Sequence, residues 1–258
     1  YVFVAVRMAD SFTFGEGLAR EARMPAGHLW KGLPVKLEAE FIIREKIAPA
    51  LNAAGSSLQN IMKCQVYLRD IEDFAPFNEV WAKHFPRQKP AVTLIPTATP
   101  GFFLEDARIE INTIALTDAG RTRKEIIDAG VATAFAGYSQ AVRAGDLLFI
   151  SGMLAADAGG LVKSARIDPA QPYFGSSVQA QMDAMLANAQ KICSAAGTSL
   201  ANVVRIQQYH TDLAEFYPAY QVWERHLPAQ HLPFSAVKVP FLAVPGCSVQ
   251  LDLWVYVP

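Results

Sequence analysis

The chain contains one pattern twice. The stretch AAGSSLQNIMKCQVYLRDIEDFAPFNEVWAKHF from Ala53 aligns without a gap with AAGTSLANVVRIQQYHTDLAEFYPAYQVWERHL from Ala195. Gly55 then pairs with Gly197, Leu58 with Leu200, Tyr67 with Tyr209, Asp70 with Asp212, Phe74 with Phe216, Trp81 with Trp223 and His84 with His226. Coincidences at one fixed offset, a Trp pair among them, mark a duplication, and a duplication calls for two similar folds. The match extends outward. YVFVAVRMA from Tyr1 parallels LLFISGMLA from Leu147, and RIEINTIAL from Arg108 parallels SVQLDLWVY from Ser248. Each unit is therefore about 120 residues, an ordinary domain size. The expected division is a first domain over 1–117, a linker over 118–131 that carries the basic run Arg121, Arg123 and Lys124, and a second domain over 132–258. Since the chain opens directly in the apolar run YVFVAV, without Met, a preceding segment is expected.

Hydrophobic spacing gives the elements of one unit. Val178, Met182, Met185, Leu186, Ala189 and Ile192 recur at steps of three and four, which is one face of a helix. Gly197 follows as a C-terminal stop. Leu37, Phe41, Ile47 and Leu51 predict the same helix in the first unit, kinked or shortened by Pro49. A strand follows, then a second helix bearing Trp81 or Trp223, then two more strands. The last of these alternates, with Val249, Leu251, Leu253 and Val255 on one side and Gln250 and Asp252 on the other. The predicted class is α+β: two tandem units, each a mixed sheet with two helices packed on one face.

Composition excludes several partners. Apolar residues make up 52% and charged residues 18%, enough to bury two cores. A net charge of −1 provides no basic surface for a phosphate backbone, so no nucleic-acid partner is expected. No apolar run approaches the roughly 20 residues that a bilayer requires, so no membrane partner is expected. Cys64, Cys193 and Cys247 are too widely spaced for a disulfide framework or a zinc site. They read as buried free thiols in a reducing, cytoplasmic compartment. His210, Asp212, His226 and His231 lack metal-ligand spacing and read as solvated or capping residues. Without a Gly-rich phosphate loop either, neither metal nor cofactor is expected.

The AAG-S-L turn, the Y-x-x-D-x-x-x-F strand end and the P-A…I-E-I…I-A closing strands together resemble the Rid (YjgF/RidA) family of imine and enamine deaminases. The resemblance covers nearly the whole chain, twice. It implies chorismate-mutase-like units that are usually one per chain and assemble as trimers. It also implies clefts between neighbours that hold small carboxylates and hydrolyse imines to release ammonia. For two units per chain, a trimer of tandem chains is the simplest closed homo-oligomer, with a small-molecule ligand in an inter-domain or inter-subunit cleft.

Carrying the family's site over residue by residue exposes departures. The substrate-gripping Arg falls on Val92 in the first unit and on Ser235 in the second, so the resemblance implies that neither copy keeps the cation. The water-activating Glu falls on Glu110 and Gln250, and the Asn that opens the second helix on Asn78 and Tyr220. The cleft Ser falls on Ala5 and Ser151, and the cleft Tyr on Tyr138 in the second unit. A bidentate Arg–carboxylate clamp supplies two charge-assisted hydrogen bonds of about 1.5–3 kcal/mol each. Its loss argues against the usual amino-acid-derived 2-imino acids. Glu110 is the expected general base, with Asn78, Val92, Tyr138, Ser151, Ser235 and Gln250 lining the binding positions. One composite cleft could draw Glu110 and Asn78 from one unit and Tyr138 and Ser151 from the other. The expected activity is hydrolysis or deamination at a C–N bond of an imine, an enamine or an aminomuconate-like compound. The alternative is a non-catalytic ligand-binding or assembly protein of the same fold.

Overall fold

The computed structural model describes residues 1–12, 16–28, 30–98, 101–120, 122–228 and 233–258. Arg121 and His231 lie outside the described residues. The chain divides into two compact units, Tyr1–Lys124 and Glu125–Pro258.

In the first unit, β1 (Val2–Arg7) leads to α1 (Leu33–Phe41), a π-helical turn (Ile42–Ile47) and α2 (Ala48–Ala53). These are followed by β2 (Ile61–Leu68), α3 (Phe74–His84), β3 (Ala91–Pro96) and β4 (Ile109–Ala115). The sheet order is β1-β4-β2-β3. β2 and β3 run parallel, and the other two pairs are antiparallel. The helix bearing Pro49 does not end there. The chain widens into the π turn just ahead of the proline, which moves carbonyls away from a ring that would otherwise strike them. The wider turn also rotates the buried face. Val35 and Ala39 are buried before it, Ile42 and Ile47 at its two ends and Leu51 after it, and Leu37 is only half-buried.

β5 (Lys124–Ile127) starts at the boundary residue and joins the sheet of the second unit, so part of the stretch expected as linker is a strand. Next come β6 (Ala141–Ala144), β7 (Leu147–Ile150), the short hairpin β8 (Ala156–Asp157) and β9 (Gly160–Leu161), and α4 (Ser177–Ala195). Then follow β10 (Val203–His210), α5 (Phe216–His226), β11 (Phe234–Lys238) and β12 (Val249–Tyr256). The main sheet has the order β11-β10-β12-β7-β6-β5. Gly145, at positive φ, turns the β6–β7 hairpin, and Gly55 and Gly197, also at positive φ, follow the helix ends α2 and α4.

The core of the second unit lies between one sheet face and both helices. Val249, Leu251, Leu253 and Val255 of β12 pack with Val178, Met182, Leu186 and Ile192 of α4 and with Val222 and Trp223 of α5. Trp81 and Trp223 are both buried, so each anchors its own unit. Truncating either to Ala costs roughly 3–5 kcal/mol. Each unit is thus a mixed sheet with two helices packed on one face, and the other face of the sheet carries the polar residues. All three cysteines are free and buried.

Candidate functional site

In the first unit, strand alternation sorts β4 into two faces. Ile109, Ile111 and Thr113 are buried, whereas Glu110 and Asn112 point the other way and are half-buried. Glu110 lies opposite Tyr67 of β2, Asn112 opposite Gln65 and Ile114 opposite Lys63. Residues directly opposite share a face, so Lys63, Gln65, Tyr67, Glu110 and Asn112 form one polar row on the helix-free side. Lys63 is buried and donates to Thr93 Oγ1 at 2.8 Å. Asn112 Nδ2 donates to Glu110 Oε1 at 3.3 Å. Burial pushes the Glu110 carboxyl above its ordinary range, and the Asn112 amide opposes this by bonding the charged form. The result is a carboxylate that keeps contact with water and has a raised affinity for protons, as a general base requires.

The other expected positions scatter. β3 runs beside β2 with Val92 next to Cys64, and Cys64 shares the face of Val66 and Ile111. Val92 is therefore buried on the core face, opposite in direction to Glu110. Asn78 is half-buried on α3, in the helix layer. Within this unit the fold does not gather Glu110, Val92 and Asn78 on one face.

In the second unit, Tyr138 and Ser151 do come together. They line a small, partly open pocket with Phe135, Met153, Asn188 and Ile192. Ser151 Oγ donates to the Ser139 carbonyl at 2.6 Å, and Tyr138 packs edge-on against Phe135 with ring centres 6.0 Å apart. Gln140 fastens the segment that forms one wall. Its side chain accepts from Ala129 N at 2.8 Å and donates to the Val131 carbonyl at 3.0 Å. Among the described residues, no side chain that carries a formal charge lines this pocket. Gln250 is buried opposite Tyr209 and lies outside the pocket lining.

Ser235 needs correcting. The parallel register places Phe234 beside Ile206 and Ser235 beside Gln207. In the ungapped repeat Ile206 matches Cys64, and Cys64 lies beside Val92. The structural counterpart of Val92 is thus Phe234, and Ser235 corresponds to Thr93. Aligning the PAV and PFS motifs by their prolines breaks the ungapped repeat by one residue, whereas the strand register keeps it, and a one-residue error assigns every following side chain to the other face. Ser235 is exposed and stands apart from the Tyr138 pocket.

His210 also departs from expectation. It is buried on β10, bonded through Nε2 to Gln208 Oε1 at 3.2 Å, and burial holds its imidazole down at about 4. Asp212 caps the turn that follows, accepting from Ala214 N at 3.0 Å, and His226 meets Asp183 at 3.2 Å. The Lys63–Gln65–Tyr67 face and Asn112 were not singled out from sequence. Their signal is the polar alternation of K-C-Q-V-Y set against E-I-N.

Comparison with known proteins agrees with the duplication. The family model described as Endoribonuclease L-PSP matches residues 37–117 and 130–257. A RutC family protein of Pyrococcus horikoshii is 41% identical over 28% of this chain and 56% of its own length. The chloroplastic Reactive Intermediate Deaminase A of Arabidopsis thaliana is 30% identical over 48% of this chain and 62% of its own length. In both, the match spans less than two thirds of the relative. The crystal structure of RidA from the Antarctic bacterium Psychrobacter is 29% identical and covers 52% of this chain and 99% of that one, at a TM-score of 0.43. With its family model matched once in each repeat, the chain belongs to the Endoribonuclease L-PSP family, also known as the Rid family, and carries two copies of its domain.

Proposed function

We propose that this protein hydrolyses the C–N bond of an imine or enamine, or of an aminomuconate-like compound, that lacks the usual α-carboxylate anchor. The observation that carries this reading is the half-buried Glu110 carboxylate, raised in proton affinity and bonded by an amide. Glu110 takes a proton from water as the water oxygen bonds to the imine carbon, and the C=N π pair moves to nitrogen. Return of that proton gives an amino alcohol, and relay of its hydroxyl proton to nitrogen through Glu110 then lets the C–N bond break as the C=O bond forms, giving a carbonyl compound and ammonia. The absence of Arg at Val92, Phe234 and Ser235 argues for a substrate without the α-carboxylate that such a clamp grips. A net charge of −1 gives little support to ribonuclease chemistry, whatever the family's description suggests.

A second reading applies to the second unit. Gln250 cannot act as a base, yet the uncharged pocket around Tyr138 and Ser151 persists. This supports ligand binding without turnover there. The two readings separate in one experiment, a screen of imines, enamines and aminomuconate-like compounds for ammonia release by the wild type and by Glu110→Gln. Loss of about a hundredfold or more in turnover is expected for removal of a general base. Equal turnover by the two proteins would eliminate the catalytic role. We further propose that copies of the chain associate into a homo-oligomer, with a trimer of tandem chains the simplest closed form.

A further inference from the structure

On β1, Val4 lies opposite Thr113 and Arg7 opposite Ile111, so Ala5 and Val6 together face Asn112 across a β-bulge. Val6 sits at φ 51°, a genuine outlier for a β-branched residue. Such strain persists only where the surroundings over-determine it, and it concentrates at functional sites. Here one determinant is visible. The Val6 N–H, turned out of the ladder, donates to Asn112 Oδ1. That bond settles which way the amide points, because an amide oxygen only accepts and its nitrogen only donates. With Oδ1 committed to Val6, Nδ2 is left facing Glu110 Oε1. Among the described residues, Asn112 is the side chain that donates to this carboxylate.

We propose that Asn112 is a positioning residue for Glu110, its amide oriented by the bulge at Val6 so that it donates to the carboxylate and keeps it ionised as burial increases. The proposal rests on Glu110 acting as base, and it adds how that base is held in its working protonation state. The second unit supplies a contrast. There the carboxylate is Gln250, the amide position holds Asp252, and Gly152 stands in place of Val6. The positions have changed together. The other titratable groups on the strands beside Glu110 are Tyr67 and Lys63 on β2, with Cys64 on that strand's opposite face, and Arg7 on β1.

The test reads Glu110 directly and needs no substrate. In wild-type protein, the Asn112 side-chain amide resonance is followed through a pH titration beside the ¹³C signal of the Glu110 carboxyl, assigned with Glu110→Gln. The amide is expected to titrate with the same midpoint as the carboxyl, and an amide that ignores the Glu110 transition would overturn the proposal. Asn112→Ala is expected to move the Glu110 midpoint upward, and Asn112→Asp to move it further in the same direction. Midpoints equal to wild type in these variants would likewise overturn it. Val6→Gly keeps the N–H and relieves the backbone, so it is expected to leave the midpoint in place. A midpoint that rises as in Asn112→Ala would show that the bulge does not orient the amide as argued. Should Glu110→Gln retain full turnover while these midpoints behave as expected, the catalytic reading fails and the positioning relation stands. With any substrate found, the acidic limb of kcat/KM should move to higher pH in Asn112→Ala, a displacement that general destabilisation does not produce.

Discussion

A single side chain shows how the two units solve one problem with different chemistry. Each must satisfy the backbone N–H that opens its last strand, at Arg108 in the first and Ser248 in the second. In the second unit Gln181 of α4 does so, accepting from Ser248 N at 2.8 Å while its amide donates to Ser177 Oγ and the Gly246 carbonyl. In the first unit the same place is taken by Glu38 of α1, which accepts from Arg108 N at 2.9 Å. Glu38 is 1% exposed, and burial pushes its carboxyl up to about 7 against the partial help of Arg108. A carboxyl raised in the fold is one whose ionisation the fold resists. Its neutral form is the favoured one, so the stability that Glu38 contributes is highest at low pH, falls as pH rises from about 4.5 towards 7, and stays lowered above that. The loss is on the order of 3 kcal/mol. Glu38→Gln, which copies the second unit, should therefore raise stability at pH 8 by about 1–3 kcal/mol and leave it nearly unchanged near pH 4.5. Urea unfolding at the two pH values checks this, and an equal effect at both would sink the electrostatic account. Sequence could not have exposed Glu38. On a helical wheel it reads as an ordinary acidic position, and only the packing reveals the strand end it meets.

At the level of elements, much was legible because hydrophobic period and repetition reinforce one another. The α4 face, the alternation of β12, the Gly197 stop and the core tryptophans all follow from spacing, and the fold carries each of them. The failures are local and concern phase, alignment or pairing, which composition does not record. The π turn before Pro49 rotates Leu37 partly out of the core. Aligning Pro90 with Pro233 gives Ser235 a position that the unbroken repeat and the strand register give to Phe234. The polar stretch 118–131 contains β5, whose partner strand, not its own residues, makes it a strand. One element that the duplication did preserve is the capped turn before the second helix. Asp70 accepts from Glu72 N and Asp212 accepts from Ala214 N, each at 3.0 Å. Asp70 also lies near Arg108, at 3.7 Å. Asp212 shows no such ion pair among the described residues, so Asp212→Ala isolates the cap. It should cost about 1 kcal/mol, within the usual 0.5–2. Chemical denaturation measures it, and an unchanged midpoint would show that the turn is held by the packing of Phe216 alone.

For the whole molecule, one question concerns the outer strand β11 of the second sheet. β11 closes one side of the second sheet, and from Ser235 to Lys238 every residue is exposed. Val237 is among them, with 42% of its surface accessible. An edge strand of this length with an exposed apolar side chain is a template for pairing or burial, and stable proteins blunt such edges or cover them. β11 carries one device of that kind, Lys238 at its end, and no proline interrupts it. Association of copies removes the exposed strand at no cost in sequence, and point-group symmetry requires the contact to close on itself or run on without end. The expected outcome is a discrete homo-oligomer, three chains in the simplest closed arrangement, observed by sedimentation velocity across a hundredfold range of concentration. A second experiment locates the contact. Val237→Lys replaces an apolar side chain with a second positive charge on the strand, on the face opposite Lys238, and the distribution should shift towards single chains if β11 lies at the interface. The substitution should change the unfolding free energy of an isolated chain by no more than about 0.5 kcal/mol, because an exposed position away from core and caps has little to lose. A wild-type protein that sediments as one chain at every concentration would defeat the assembly reading. An oligomer indifferent to Val237→Lys would keep the assembly and move its contact elsewhere.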